Sequence, residues 1–376
     1  MKITIDATGL SPLKTGTVTY LLEILAQWSS GVEPSHQFVI FCTRQTSHHF
    51  DELHLDSRFK LVLVCRNKLA QMAWQQTFLP LYLWRNKVDV HWGPGFVLPF
   101  IKACPMAVTI HDMTFDLLPE VHEPVKRVYF PFMIRQALKR ADKIFAVSQS
   151  TADDVEGLIP TVANRIVVTI LAARSLAIDE LTDVKLNTGK YRSSITGDIT
   201  RPYALFVGTL EPRKNLKRLL AAWSQLPAEI RENYLLKVAG VKGWMVEQLD
   251  TPINDSVEVL GHVSDADLAV LLKNAICFAY PSLYEGFGLP VIEAMAAGVP
   301  VLTSNVGATR EVAEGAAVLV DPLSVDSIQA GLNQLLSEPE LRRHLCAAGF
   351  QRSAQFSWSR TAKLTLKTLE CIASTG

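Results

Sequence analysis

Two glutamates, Glu285 and Glu293, stand eight positions apart in a stretch that begins Pro281-Ser-Leu-Tyr-Glu-Gly-Phe-Gly-Leu-Pro290 and runs on to Gly298. The stretch follows an apolar strand-like run and opens a helical pattern whose first position is Pro290, with Gly298 as its left-handed cap. Gly286 and Gly288 leave backbone N–H groups uncovered at the positive end of a helix dipole, which is a seat for phosphate or hydroxyl oxygens. Glu293 falls about one turn into the helix, so both carboxylates can face one ligand, and a carboxylate accepts two vicinal hydroxyls well. That chemistry suits a ribose or a hexose. A glycine-rich turn with two solvated glutamates is the alternative for so short a motif, and the strand-loop-helix setting weighs against it.

A second element, Gly208-Thr-Leu-Glu-Pro-Arg-Lys-Asn-Leu216, also joins a strand to an amphipathic helix. Arg213 and Lys214 there could neutralise a diphosphate leaving group, one with a forked guanidinium and one with a point charge. Taken alone, the pair reads more readily as a solvated basic turn, since most exposed basic pairs do nothing specific. His111-Asp112 follows the run Met106–Ile110, which brings the imidazole out at a strand's carboxyl end, although a lone histidine is more often structural.

The elements that must position these residues alternate short β-branched runs with helix-length segments. In the first half the strand readings are Lys2–Ile5, Gln37–Cys42, Lys60–Cys65, Val88–His91, Met106–Ile110, Lys143–Val147 and Arg165–Leu171, with a helix at Val18–Trp28. In the second they are Tyr203–Val207, Leu235–Ala239, Val257–Leu260, Ile276–Tyr280, Val301–Ser304 and Ala317–Val320, with helices at Leu216–Leu226, Asp265–Lys273 and Val291–Ala297. This is the pattern of βαβ units and parallel sheets. The predicted architecture is α/β: two doubly wound, Rossmann-like domains facing across a cleft, with ligands beyond the carboxyl ends of the strands. The domains are 1–172 and 202–356. A polar linker region covers 173–201, and a helix at 357–376 could pack on either domain.

Composition bounds the rest. At 376 residues with 48% hydrophobic content the chain can build two cores. Lys plus Arg equals Asp plus Glu at 37 each, which gives no overall pull toward nucleic acid or an anionic membrane. Six scattered cysteines without a Cys-x-x-Cys pair point to a reduced, cytoplasmic protein with no zinc tetrahedron. No apolar run is long enough to span a bilayer.

The segments FVGTLEPRKNL and PSLYEGFGLPVIEAMAAGVPVLTSNVGATREV closely resemble the family 4 retaining glycosyltransferases of the GT-B fold, with Glu285 and Glu293 in the family's Glu-x7-Glu spacing. The detailed resemblance covers roughly Tyr203 to Pro322. It implies that Glu293 binds the ribose of a nucleotide and Glu285 the hydroxyls of the transferred sugar. It implies further that Gly286, Phe287, Gly288 and Leu289 offer backbone N–H groups, that Arg213 and Lys214 stabilise the departing diphosphate, and that the backbone near Val263 reads the base. Thr209 stands at the donor where many members carry an arginine, which leaves that arginine's work to Arg213. In the first domain the resemblance implies a phosphate contact at Gly16 and a sugar contact at His111, whose neutral ring could donate to a hydroxyl.

The triplet Asp265-Ala-Asp267 has the look of the metal-binding Asp-x-Asp of another glycosyltransferase fold. Its place after Ser264, at the start of a helical pattern, is better explained by capping, so no metal is expected. No cofactor is expected beyond a nucleotide-sugar donor, with GDP-mannose first and a UDP-hexose second, by likeness to bacterial mannosyltransferases of surface polysaccharides. The acceptor would be a saccharide or a lipid-linked saccharide. The stretches 66–87 and 126–140 mix aromatics with basic ends, so they read either as core-facing helices or as a peripheral contact with the inner face of the membrane. A sugar-nucleotide epimerase or hydrolase on the same scaffold, and a non-catalytic nucleotide-binding module, are the rival functions.

Overall fold

A computed structural model describes residues 1–31, 35–51, 53–64, 68–174, 201–241 and 255–375. The chain divides into two compact units, Met1–Leu171 with Ser357–Gly376, and Ala172–Phe356. Of the segment expected as a linker, residues 175–200 lie outside the described residues.

The first unit is built on a seven-stranded sheet in the order β3-β2-β1-β4-β5-β6-β7. Its strands are β1 (Lys2–Asp6), β2 (Gln37–Cys42), β3 (Phe59–Leu63), β4 (Val90–Gly93), β5 (Met106–Ile110), β6 (Lys143–Ala146) and β7 (Ile166–Val168). Every pairing is parallel, with Ile3 opposite Phe38 on one side and Val90 on the other. The strand expected at Val88–His91 begins two residues later, because the Val88 N–H bonds back to Leu83 at 3.1 Å and so belongs to the end of the preceding helix. The last strand is likewise shorter than Arg165–Leu171, since Arg165 closes a 3-10 turn.

The terminal helix Trp358–Thr375 belongs to this unit. It packs on the helix Gly16–Gly31, where the Trp28 indole donates to the Ala362 carbonyl at 2.9 Å. A buried indole N–H needs such an acceptor, and a helical carbonyl has a second lone pair to offer.

The second unit holds a six-stranded parallel sheet in the order β10-β9-β8-β11-β12-β13. These strands are β8 (Tyr203–Val207), β9 (Leu235–Ala239), β10 (Val257–Gly261), β11 (Cys277–Tyr280), β12 (Val301–Ser304) and β13 (Ala317–Val320). Strand order reverses between β8 and β11, which are neighbours although far apart in sequence. The crevice at such a reversal is where doubly wound sheets receive ligands, and the two motif loops leave from these two strands.

Among the described residues no helix is long and apolar enough to cross a membrane. The five described cysteines, Cys42, Cys104, Cys277, Cys346 and Cys371, are free thiols.

Candidate active site

The loops after β8 and β11 are hydrogen-bonded directly to each other. Arg213 offers its backbone carbonyl to the Leu283 N–H at 2.7 Å and to the Ser282 hydroxyl at 2.9 Å. Asn215 sits in the left-handed region, at φ 61°, as the residue preceding the helix Leu216–Ser224. Its side-chain amide donates to Pro281 O at 2.9 Å and to Pro322 O at 2.7 Å. Asparagine tolerates this conformation better than most L-residues. Two satisfied amide protons hold it there.

Gly240 is required by a close approach. A Cβ built on it would lie 1.8 Å from the Gly208 carbonyl oxygen, so only glycine lets the ends of β8 and β9 meet. Gly288, at φ 98°, caps the helix Leu289–Ala296, and Pro290 is its second residue rather than its first. Gly298 at φ 73° ends the helix as the sequence predicts, its N–H bonding to Met295 O at 3.0 Å.

On this frame the half-buried Arg213 joins the buried Lys214 and Glu285 in one cluster. Lys214 Nζ donates to Glu285 Oε1 and to the Tyr280 hydroxyl, both at 2.6 Å. Glu285 Oε1 also accepts from Tyr280 at 2.9 Å and Ser282 at 2.7 Å, while Oε2 accepts from Arg213 Nη1 at 3.0 Å. Arg213 is turned the other way onto Glu211 through Nε, at 2.9 Å.

Burial by itself would raise the Glu285 carboxyl. The charges of Lys214 and Arg213 and the bonds from Lys214 and Ser282 outweigh it and hold the group down at about 2. Burial, and then the neighbouring Arg213, lower the Lys214 ammonium, against the opposing pull of Glu285. Burial, followed by the Glu285 charge, raises the Tyr280 phenol well above its ordinary value, so it remains a hydroxyl.

This geometry changes the reading of Glu285. A carboxylate oxygen has two lone pairs, and Oε1 already meets three donors. Of the two oxygens Oε2 is the less engaged, and Glu285 holds two cations side by side. Two of the three Lys214 ammonium protons go to Tyr280 and Glu285, which leaves one for a ligand oxygen.

Glu293 lies in the second turn of its helix and is buried. Arg174, outside both motifs, covers it, with Nε on Oε1 at 2.5 Å and Nη2 on Oε2 at 3.2 Å. The third nitrogen, Nη1, reaches Asp265 Oδ1 at 2.9 Å. Burial lowers the Arg174 guanidinium, and the Glu293 and Asp265 pairs more than reverse this, so the net direction is upward.

Ser264 caps the helix Asp265–Asn274, accepting from the Asp267 N–H at 3.1 Å and donating to the Asp267 carboxylate at 2.6 Å. Asp265 and Asp267 therefore have work as ion-pair partner and cap, as the sequence suggests for a helix start. Phe287 turns its ring inward, edge-on to Phe356 at 5.8 Å, so only its backbone can serve a ligand. Gly286, Gly288 and Leu289 follow the same loop into the helix N-terminus, where Pro290 has no N–H and the Val291 N–H bonds to the Gly288 carbonyl at 2.9 Å. Thr209 lies just past β8 and Val263 just past β10, both at the carboxyl edge of the sheet.

In the first unit, His111 follows β5, and its Nε2 is 2.6 Å from the Pro94 carbonyl. A carbonyl can only accept, so Nε2 carries the proton, and burial lowers the ring's affinity for a second one. The neutral imidazole thus presents Nδ1 as an acceptor. The donor role expected from the sequence is already spent on Pro94. Tyr20 packs edge-on against the ring at 4.9 Å and fixes its plane. Gly16 is the exposed first residue of the helix Gly16–Gly31 rather than part of the preceding loop.

Sequence reasoning missed Tyr280, Ser282, Asn215 and Arg174. Tyr280 ends an apolar strand and reads as core, and Arg174 stands alone with no motif around it.

Residues 189–352 match the family described as glycosyl transferases group 1, and residues 15–169 match glycosyltransferase family 4. O-antigen chain mannosyltransferase B of Escherichia coli is 35% identical over 289 residues, 75% of this chain and 74% of that protein. Among solved structures, the sucrose-phosphate synthase of Thermosynechococcus elongatus superposes with a TM-score of 0.76 at 18% identity over 100% of both chains. HepE of Anabaena, in complex with UDP and glucose, gives 0.73 at 16% identity over 99% of this chain and 100% of that one.

Proposed function

The chain belongs to the family 4 glycosyltransferases of the GT-B fold, and from that premise we propose that it moves a mannosyl group from GDP-mannose to a saccharide or lipid-linked saccharide of a cell-surface polysaccharide. The observation that carries the catalytic part is the Arg213–Lys214–Glu285 cluster at the strand-order reversal. Two cations held side by side there support a role in stabilising a leaving diphosphate. The choice of mannose is supported by the E. coli relative's name, O-antigen chain mannosyltransferase B. A UDP-hexose is the second donor to test.

In this reading the anomeric carbon–phosphate oxygen bond breaks while the acceptor hydroxyl adds to the same face, with retention. The acceptor's proton passes to the departing phosphate oxygen. Arg213 and Lys214 stabilise that diphosphate, each such donor typically contributing about 2.7–4 kcal/mol to the transition state. Glu293 takes the ribose, Glu285 the sugar through Oε2, and the Gly286–Leu289 backbone the sugar and phosphates. Thr209 lies at the donor, and Val263 reads the base with its backbone. Gly16 meets a phosphate and His111 accepts from a sugar hydroxyl.

The reaction needs no metal, and activity lost to EDTA and restored by manganese overturns that part. A thermal-shift panel of GDP, UDP, ADP and dTDP sugars tests the donor, since binding to the native state raises the melting temperature. A rise with GDP-mannose above the others is the expected result, and a rise confined to another base replaces it. Release of free sugar or an epimer without acceptor would move the assignment to the hydrolase or epimerase class.

We further propose peripheral contact with the cytoplasmic face of a membrane. The stretches 66–87 and 126–140, as far as they are described, form helices with a buried side and an exposed apolar stripe. Phe78, Leu81 and Trp84 are exposed on one, and Val128 and Phe132 on the other. Phe100 bridges them. Its N–H bonds to Gln76 at 2.8 Å and its ring lies 6.2 Å from Phe132, with Arg140 over its face at 5.3 Å. An apolar stripe beside exposed Arg85, Lys87, Arg127 and Lys139 suits an anionic lipid surface.

A further inference from the structure

The Arg174 guanidinium lies fork-on against Glu293, using both carboxylate oxygens, and its remaining nitrogen rests on Asp265. The Glu293 side chain is 5% exposed and that of Arg174 16%, so solvent meets the guanidinium before it meets the carboxylate. Planar two-point pairing of this kind takes one lone pair of each oxygen along a shared edge. A vicinal diol that donates one hydroxyl to each oxygen needs the same edge.

We propose that Arg174 is a specificity-determining residue of the nucleotide site: it holds the ribose edge of Glu293, and the ribose diol binds by exchange against it. The inference rests on the reading of Glu293 as the ribose acceptor. Three features support an exchange rather than a permanent pair. Arg174 extends from an irregular segment, so moving its side chain breaks no helix or strand. Asp265, about half exposed, remains as a second seat for the released guanidinium, which need not be left unpaired. A diol supplies two donors, enough to replace both hydrogen bonds from the guanidinium, whereas one hydroxyl is not.

A ligand without hydroxyls can leave Arg174 where it is and so avoids the exchange. The native chain should therefore show a muted preference for ribose, and removing Arg174 should sharpen it.

The experiment is titration calorimetry of the full chain with GDP, UDP and their 2′,3′-dideoxy counterparts, for the native protein, Arg174→Ala and Arg174→Lys. Comparing ribo and dideoxy forms within one variant cancels any long-range effect of the lost charge on the diphosphate. In Arg174→Ala the ratio of dideoxy to ribo Kd should rise about tenfold, the worth of one charge-assisted hydrogen bond. Arg174→Lys, with a single-point contact, should fall between the two. A ratio that stays level in both variants overturns the inference, and a ratio that falls makes Arg174 part of the receiving site instead. A native chain that binds neither GDP nor UDP overturns the donor-site reading itself, a different failure from an unchanged ratio. Should Arg174→Ala fail to fold, Arg174→Lys alone decides by the same ratio.

Discussion

Lys214 Nζ lies 2.6 Å from Glu285 Oε1, and both side chains are buried. Neither can be removed alone without leaving a charge in a poorly solvated place, a situation that typically costs about 3–5 kcal/mol. The two residues therefore act as one unit. Lys214→Ala and Glu285→Ala should each lower turnover by about two orders of magnitude or more, and the double variant should be little worse than either single one. Steady-state rates on a donor–acceptor pair check this. Multiplying losses would mean that the two residues contribute independently.

The same cluster sets an acid dependence of stability. Glu285 is held at about 2 in the folded chain against an ordinary value of 4.5, so the stability it contributes is present above about 4.5 and is lost as pH falls toward 2. Glu285→Gln lacks that titration. Denaturant unfolding should show the variant less stable than the native chain at neutral pH, with the gap narrowing below about pH 4.5. A gap that is constant from pH 6 to 3 contradicts the depressed carboxyl. Activity near neutral pH should carry no titration from this carboxylate.

Much of this architecture is legible in the sequence, because strands in parallel sheets are short apolar runs bounded by turn residues. Gln37–Cys42, Met106–Ile110, Tyr203–Val207 and Leu235–Ala239 have the extents read from the pattern alone. The strand, loop and helix order also places Arg213, Lys214, Glu285 and Glu293 at the carboxyl edge. What the pattern does not carry is pairing between distant side chains. Tyr280 looks like one more core aromatic until its hydroxyl is seen between Lys214 and Glu285. Arg174 is 119 residues from Glu293 and lies in no periodic segment. The proton on His111 is set by a backbone carbonyl 17 residues away, which residue type alone does not reveal.

Backbone geometry predicts a graded series, with Gly95 of the first unit as a control for the joined loops. Gly240→Ala drives a Cβ into the Gly208 carbonyl, backbone against backbone, and should yield a misfolded or inactive chain. Gly95→Ala, whose Cβ meets nothing within 4 Å, should melt like the native protein. Asn215→Ala loses two buried bonds and keeps a left-handed backbone, for a loss of about 2–4 kcal/mol. Asn215→Gly relieves the backbone cost and should lose less than Asn215→Ala. Thermal unfolding of the four variants gives the order, and a reversal of the two Asn215 variants would show that the left-handed conformer is not what the asparagine stabilises.

The exposed stripes give the last prediction. Trp84 is 70% exposed and Phe132 53%, on helices whose other faces are buried in the first unit. Changing both to serine removes apolar area from the surface without opening the core, so folding and turnover on a soluble acceptor should be retained. Insertion of such side chains into a lipid interface stabilises binding in proportion to buried apolar area, and basic neighbours add attraction to anionic headgroups. The native chain should float with vesicles containing anionic lipid and not with neutral ones. Trp84→Ser/Phe132→Ser should float poorly with either, and raised salt should release the native chain, since headgroup attraction is screened within a Debye length. If the native chain fails to float at any anionic lipid content, the membrane reading is wrong. If it floats and the double variant floats equally well, these stripes are not the surface that binds.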